Sequence, residues 1–195
     1  MYGTNLSYIR PNGSLINGIL IRTPGVLGFM ELWDISSKVV TMGSDKKIGF
    51  SEKERHTIRK GAQLIALNIW HPDIIDFIEA KNTPGRFTKA NLSVGITEGF
   101  MQAVIDDKEW RLEFPDTSYH AYENEWDGVL KNWKDKEYPV IVYETIKAKD
   151  LWEKIMFNTY SRNEPGVLFL DTINRLNPMA GKEIVLASNP WNSAA

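Results

Sequence analysis

The amino-acid sequence predicts an α/β protein whose parallel strands are linked by helices, and three observations support this fold class. Short apolar runs, such as Leu64–Trp70, alternate along the chain with segments of helical periodicity. These runs are nearly continuous in their apolar character, which is typical of strands covered on both faces. The 195 residues are 43% hydrophobic, which is enough to form a sizeable core.

The first half of the chain contains two predicted helices separated by a loop and a strand. The spacing of apolar residues predicts a helix over Pro24–Thr41. Gly43–Lys60 is rich in Lys and Arg but poor in apolar anchors, so it predicts a long exposed loop. After the strand at Leu64–Trp70, a second helix is predicted in which Pro72 takes the first position and Asp73 complements the helix dipole.

The middle of the chain repeats this scheme. Apolar residues alternate in Leu92–Ile96, which predicts a strand, and Thr97 is placed to cap the helix that follows. A short strand is predicted at Trp110–Phe114 and another at Val140–Tyr143. Between them, Thr117–Lys136 is aromatic and acidic, which indicates an ordered excursion from the sheet.

The last third contains one predicted helix and two predicted strands. Lys147–Tyr160 is amphipathic and has no helix breaker, whereas Val167–Leu170 and Ile184–Ala187 are short apolar runs typical of buried strands. Active sites of α/β proteins lie beyond the carboxyl ends of their parallel strands. We therefore expect the residues after Leu170 and after Ala187 to face the functional site.

The composition excludes several classes of protein. The chain has no cysteine, which excludes disulfide frameworks, cysteine-based zinc sites and cysteine nucleophiles. Its net charge of −2 does not indicate a basic surface of the kind that binds duplex nucleic acid. Its three histidines lie too far apart in the sequence for a metal site. The most apolar early stretch, Leu15–Trp33, is interrupted by charged residues and a proline, so we expect no membrane segment and a cytoplasmic location.

The basic stretch around Lys46–Lys60 has two interpretations on sequence alone. Its side chains, together with backbone N–H groups near Gly61, are of the kind that binds phosphate. A solvated run of charge is the simpler interpretation, and the sequence by itself favours it.

Eight short motifs, in order along the chain, carry a family resemblance. They are Ser7-Tyr8-Ile9-Arg10-Pro11-Asn12-Gly13-Ser14, Arg59-Lys60-Gly61-Ala62-Gln63, His71-Pro72-Asp73-Ile74, Asn91-Leu92-Ser93-Val94 with Phe100-Met101, Phe114-Pro115-Asp116-Thr117, Trp126-Asp127-Gly128, Glu164-Pro165-Gly166-Val167-Leu168-Phe169-Leu170-Asp171 with Asn174-Arg175, and Ser188-Asn189-Pro190. Through them the chain resembles the catalytic subunit of ribonucleotide reductase, and most closely its adenosylcobalamin-dependent branch.

The resemblance implies part of a ten-stranded α/β barrel that reduces ribonucleotides to deoxyribonucleotides for DNA synthesis. In this branch adenosylcobalamin is the source of the radical. A thiyl radical then forms on the cysteine of an Asn-Pro-Cys-Gly-Glu finger loop, whose glutamate acts as a base. Here Asn189-Pro190 matches the loop, but Trp191 stands at the position of the cysteine and Ser193 at that of the glutamate. We therefore expect no catalytic residue in this chain.

The resemblance also assigns binding residues. Ser7 and Asn189 match the substrate side of the family's site. The allosteric apparatus that binds a deoxynucleotide effector is matched by Arg10 and by four residues of the basic stretch, which are Arg59, Lys60, Gly61 and Ala62. This favours the phosphate-binding interpretation of that stretch.

The resemblance leads to an expectation for the whole chain. Residues 1–190 would form a partial barrel domain and residues 191–195 a tail outside the family pattern. Such a chain would be inactive alone and would require a complementary polypeptide or a second copy. The alternative is a degenerate, non-catalytic module that binds nucleotides or a partner.

Overall fold

The computed structural model describes residues 2–16, 21–45 and 63–188, which form strands and helices in alternation. The elements in chain order are β1 Tyr2–Asn5, α1 Gly25–Asp45, β2 Gln63–Asn68, α2 Ile74–Glu79, β3 Ala90–Ile96, α3 Glu98–Ile105, β4 Glu109–Pro115, α4 Tyr122–Glu125, α5 Leu130–Asp135, β5 Val140–Lys147, α6 Ala148–Arg162, β6 Gly166–Phe169 and α7 Leu170–Leu176.

Four parallel strands make up the main sheet, in the order β1-β2-β3-β6. Asn5 pairs with Ala66, Ala66 pairs with Ser93, and Ser93 pairs with Gly166. One row of residues therefore crosses all four strands. The described strands form an open sheet that does not close into a barrel. The predicted class, α/β with parallel strands linked by helices, is confirmed.

The core lies between this sheet and the helices that cover its outer face. Ile65 and Leu67 of β2 and Val94 of β3 are fully buried there. They pack with Phe77 of α2 and Ile155 of α6, among others. A continuous apolar strand such as β2 is stable in this position because both of its faces are covered.

A second, aromatic cluster occupies the predicted excursion between β4 and β5. These two strands form an antiparallel pair, and the segment between them folds into α4 and α5. The cluster's buried residues are Trp70, Phe114, Ala121, Tyr122, Trp126, Leu130 and Trp133. The excursion is therefore ordered, as predicted, and has a core of its own.

Most predicted elements are confirmed with shifted ends. Helix α1 reaches Asp45, so residues 43–45 of the predicted exposed loop are helical, while residues 46–60 lie outside the described part of the chain. Strand β5 extends to Lys147, four residues beyond its prediction.

The prediction of a strand at Ile184–Ala187 is wrong. This segment is irregular, because its backbone bonds to side chains and not to a neighbouring strand. Val185 N–H donates to Asn174 Oδ1 at 2.7 Å, and Asn174 Nδ2 donates to Val185 O at 2.9 Å. The apolar pattern indicates that the segment is partly buried. It carries no information that Asn174 on α7 provides the hydrogen-bond partners of the Val185 backbone.

The start of α2 also differs from the prediction. Pro72 lies in a turn, and the helix begins at Ile74. The turn is closed by two backbone bonds, from His71 N to Asn68 O and from Ile74 N to His71 O, both of 3.0 Å.

Helices long and apolar enough to cross a lipid bilayer do not occur among residues 2–16, 21–45 and 63–188.

Candidate functional site

The inner face of the main sheet, opposite the helices, carries small and polar residues in addition to Leu64 and Leu168. One row consists of Asn5, Ala66, Ser93 and Gly166, and the next is formed by Asn68, Gly95 and Leu168. In an ordinary parallel barrel bulky aliphatic side chains fill this space. Their replacement by small residues leaves room for a ligand on this face.

A cavity of about 400 Å³ lies on the inner face, at β3 and β6. Asn91, Ser93, Glu164 and Ser188 contribute polar groups to its lining. Glu164 is held in place by an ion pair with Lys81 and by the N–H of Leu92, at 3.4 Å. The cavity is of a size that suits a small ligand such as a nucleotide.

The carboxyl ends of β1 and β2 are tied together by polar side chains. Asn5 Nδ2 donates to Asn68 Oδ1 at 3.0 Å and to Leu186 O at 2.7 Å. Ser7 N–H donates to Asn5 Oδ1, and Ser7 Oγ accepts a bond from Asn68 N–H, each at 2.8 Å. Ser7, predicted on the substrate side, is thus only 1% exposed and already organises the strand ends.

A second cavity, of about 350 Å³, lies between those strand ends and the aromatic cluster. Asp171 and Asn174, which follow Leu170, line it together with Trp110 and Lys134. Residues after Leu170 thus face a cavity at this edge, and that this edge is the functional site stays a prediction. Ser188, which follows Ala187, lines the inner-face cavity instead.

Asp73 has a role in addition to the predicted one. Its carboxylate does not cap its own helix α2. Oδ2 instead accepts a bond from Val26 N–H at 2.9 Å, in the first turn of α1, and Oδ1 accepts one from Asn12 N–H, also at 2.9 Å. The negative charge therefore stabilises the N-terminus of α1, 47 residues earlier in the chain. Sequence spacing carried no signal for this long-range cap.

His71 joins the same region to the loop after β1. Its ring is fully buried, Nδ1 accepts a bond from Asp73 N–H at 3.0 Å, and Nε2 lies 2.9 Å from Ile9 O. This pattern requires a neutral ring with the proton on Nε2. Burial lowers the pKa of His71, and the nearby Asp73 charge only partly opposes this shift. The prediction that His71 sits at a strand-to-helix junction is confirmed.

The buried His71 makes stability depend on pH. Because its pKa is lower in the folded state than the usual 6.5, the unfolded chain binds more protons below that pH. We expect the free energy of unfolding to be unaffected by His71 above about pH 6.5 and to fall, by at most about 1.4 kcal/mol per pH unit, as the pH drops below it. Urea titrations between pH 5 and 7.5 measure this slope. An equal slope in His71→Gln would contradict the assignment.

Arg10, predicted as an effector residue, lies in the loop after β1 and contacts the aromatic cluster. Its guanidinium forms an ion pair with Glu123 and lies 4.8 Å from the centre of the Tyr122 ring. Nη1 also donates to Leu15 O at 3.3 Å. Burial raises the pKa of Tyr122 to about 12, although Arg10 acts in the opposite direction.

The remaining predicted site residues lie outside the described part of the chain. They are Arg59, Lys60, Gly61, Ala62, Asn189, Trp191 and Ser193. Of the predicted set the structure thus describes Ser7 and Arg10, which belong to one loop but face different neighbours. Within residues 2–16, 21–45 and 63–188, no group of three or more acidic or histidine side chains is arranged to hold a metal ion.

The fold and the inner face together define an α/β domain with an open parallel sheet and a ligand-sized cavity on its inner face. Residues 2–191 match the family described as ribonucleotide reductase, barrel domain. The chain therefore belongs to the ribonucleotide reductase family.

Several curated proteins are similar to this chain over 96% of its length. The vitamin B12-dependent ribonucleoside-diphosphate reductase of Mycobacterium tuberculosis is 30% identical over 189 residues, and that of Thermoplasma acidophilum is 26% identical. The ribonucleoside-diphosphate reductase subunit alpha of Helicobacter pylori is 30% identical over 193 residues. The matched region covers 20–23% of these relatives, so this chain spans about a fifth of their length.

Proposed function

We propose that this chain forms the nucleotide-binding part of a ribonucleotide reductase barrel, which converts ribonucleotides to deoxyribonucleotides for DNA replication. The observation that carries the proposal is the inner-face cavity, which is lined by polar residues such as Ser93, Glu164 and Ser188 as well as by aliphatic ones such as Leu64 and Leu168. Such a lining offers hydrogen-bonding groups to a sugar and space for its approach. As part of the proposal, the chain works in the cytoplasm, where nucleotide pools are held.

The proposed substrate contacts lie on this face or next to it. Ser93 and Glu164 can accept hydrogen bonds from ribose hydroxyls, since both residues line the cavity. Ser188 lines the same cavity and directly precedes Asn189, which we propose as a substrate residue. Ser7 would act from the strand ends by fixing Asn68.

The radical step would require groups from outside this chain. The chain contains no cysteine, so it cannot form a thiyl radical, and neither Trp191 nor Ser193 can replace a thiol and a carboxylate base. We propose that the chain is inactive alone and works with a complementary polypeptide or a second copy. Exposed apolar side chains support this, for example Leu32, Ile35 and Val39 on α1, which are 57–62% exposed.

Adenosylcobalamin is the proposed cofactor of the completed enzyme, as the names of the relatives from M. tuberculosis and T. acidophilum suggest. The described residues do not fit it directly. The cavity of about 400 Å³ suits a nucleotide and is too small to enclose a corrin ring. The contacts to the corrin would therefore come from other parts of the enzyme.

The proposed effector site comprises Arg10, Arg59, Lys60, Gly61 and Ala62, with a deoxynucleotide as ligand. Arg10 supports this proposal because it already binds a carboxylate, that of Glu123, and its planar guanidinium suits phosphate equally well.

Filling the inner-face cavity tests the substrate proposal. In Ser93→Leu the larger side chain would occupy the space next to Gly166. A Cβ placed on Gly166 would lie 3.4 Å from Ser93 Oγ, so the two residues are in contact across the strands. We expect wild-type chain to bind a ribonucleoside diphosphate in titration calorimetry and Ser93→Leu to bind it at least tenfold more weakly. The matched control is Ser36→Leu on the exposed face of α1.

Two results would overturn the substrate proposal. One is the absence of binding to wild-type chain at millimolar nucleotide. The other is equal affinity of Ser93→Leu and wild type, provided that circular dichroism shows both to be folded.

A further inference from the structure

Residues 184–188, which we call the connecting segment, link the two cavities described above. Residues 184–186 line the cavity at the strand ends, and Ser188 lines the inner-face cavity. The connecting segment is irregular, so no neighbouring strand holds it in register. The position of Ser188, and of Asn189 next to it in the sequence, therefore depends on the groups that hold residues 184–186.

Asn174 on α7 holds the connecting segment at Val185. Its Oδ1 accepts a bond from Val185 N–H at 2.7 Å, and its Nδ2 donates to Val185 O at 2.9 Å. Nδ2 also donates to Leu170 O at 2.9 Å, one turn earlier on the same helix, which fixes the orientation of the amide. A carboxamide carries both donors and an acceptor, so one side chain satisfies the N–H and the C=O of a single residue. Asn174 thus does for Val185 what a neighbouring strand does elsewhere in the sheet.

Asn5, the last residue of β1, holds the next residue of the connecting segment. Its Nδ2 donates to Leu186 O at 2.7 Å and to Asn68 Oδ1 at 3.0 Å. Its Oδ1 accepts a bond from Ser7 N–H at 2.8 Å. Because both the amino group and the oxygen of this amide have partners, its orientation is fixed. Asn5 therefore joins the connecting segment to Ser7, the other residue predicted on the substrate side.

We propose that Asn5 and Asn174 are positioning residues, which hold the backbone of the connecting segment so that Ser188 and Asn189 are presented to a nucleotide in the inner-face cavity. The inference rests on the proposed function, in which Asn189 is a substrate residue. It adds two residues that lie outside the lining of that cavity and act through the segment they hold. When either amide is lost, the segment samples further conformations, and only the fraction in the held conformation binds the nucleotide.

A nitroxide label at residue 187 measures whether the connecting segment is held. The chain contains no cysteine, so Ala187→Cys supplies a single attachment point on the full chain. We expect the electron paramagnetic resonance spectrum to show a restricted label, and we expect Asn174→Ala or Asn5→Ala in this background to increase its mobility. The matched control is Asn177→Ala. Asn177 directly follows α7, and its Oδ1 accepts a bond from Met179 N–H at 3.0 Å within its own turn, so its loss is expected to leave the label unchanged.

Titration calorimetry with a ribonucleoside diphosphate measures whether this holding matters for binding. We expect Asn174→Ala and Asn5→Ala to bind the nucleotide about threefold to tenfold more weakly than the wild type, the range that follows from the loss of one or two hydrogen bonds. In an Asn189→Ala background we expect Asn174→Ala to weaken binding by less than about twofold, because the side chain that it positions is already gone. An equal factor in both backgrounds would overturn the inference, since a variant that only destabilises the fold gives that result.

The outcomes separate this inference from the proposed function. If the wild type binds the nucleotide but label mobility or affinity is unchanged in Asn174→Ala and Asn5→Ala, the inference is overturned and the proposed function stands. Failure of the wild type to bind at millimolar nucleotide overturns the proposed function and the inference with it. Circular dichroism shows whether each variant is folded. If Asn5→Ala does not fold, Asn174→Ala decides the test, since Asn174 is only half-buried.

Discussion

Replacing Gly25 with alanine is expected to lower the free energy of unfolding by about 3–5 kcal/mol. Gly25 has a φ of +67°, which costs an L-residue about 1–2 kcal/mol. A Cβ there would also lie 2.5 Å from Asp73 Oδ2 and 2.6 Å from Asn12 N. The side chain would thus displace the carboxylate that caps α1 and binds the loop after β1. Urea denaturation of the wild type and the variant measures the difference.

Gly13→Ala is the matched control for this prediction. Gly13 has a similar φ of +77°, but a Cβ at that position would meet no atom within 4 Å. Only the cost of the positive φ remains, so we expect the free energy of unfolding to fall by about 1–2 kcal/mol. Equal losses in the two variants would show that the contact between Gly25 and Asp73 contributes nothing.

The second large effect is expected for Trp133→Ala, at about 3–5 kcal/mol. Trp133 is 2% exposed at the centre of the aromatic cluster. Its ring makes edge contacts with Tyr122 and Trp126 at centroid distances of 6.2 and 6.0 Å. Truncation leaves a large cavity that the neighbouring rings are too rigid to fill. Urea denaturation followed by tryptophan fluorescence measures the loss.

Trp133→Phe separates packing from hydrogen bonding at the same position. It keeps an aromatic ring but removes the bond from Nε1 to Pro139 O, which is 2.9 Å long. We expect a loss of about 0.5–1.5 kcal/mol, since Pro139 O keeps its bond from Asp116 N–H and only one hydrogen bond is lost. A loss as large as that of the alanine variant would indicate that the indole N–H, and not the ring contacts, holds the cluster together.

The elements that could be predicted from the sequence are those that depend on local pattern. The strand at Ala90–Ile96 and the cap at Thr97, whose hydroxyl accepts from Phe100 N–H at 3.2 Å, both follow from residues within a few positions of each other. The strand prediction for Ile184–Ala187 was wrong because a strand forms only beside a neighbouring strand with which its backbone can pair. Its apolar residues resemble a strand, but Asn174 supplies its backbone partners.

The candidate site was predictable to a smaller extent, because its contacts join residues that are far apart in the sequence. Family motifs singled out Ser7 and Arg10, yet nothing local indicates that Ser7 Oγ binds the backbone of Asn68, 61 residues away. The pairing of Arg10 with Glu123 spans 113 residues. The cap of Asp73 on α1 belongs to this group as well. Chemistry built from side chains on different elements is visible only after the chain has folded.

The two faces of the main sheet differ in the size of the side chains that they carry. The outer face buries large aliphatic residues such as Ile65 and Leu67, whereas the inner face presents Ala66, Ser93 and Gly166. Ala66 and Ser93 are buried as well, and a Cβ at Gly95 would lie 2.4 Å from Asn68 Oδ1, so larger side chains there meet packed atoms. Variation on the inner face is therefore confined to side chains that stay small.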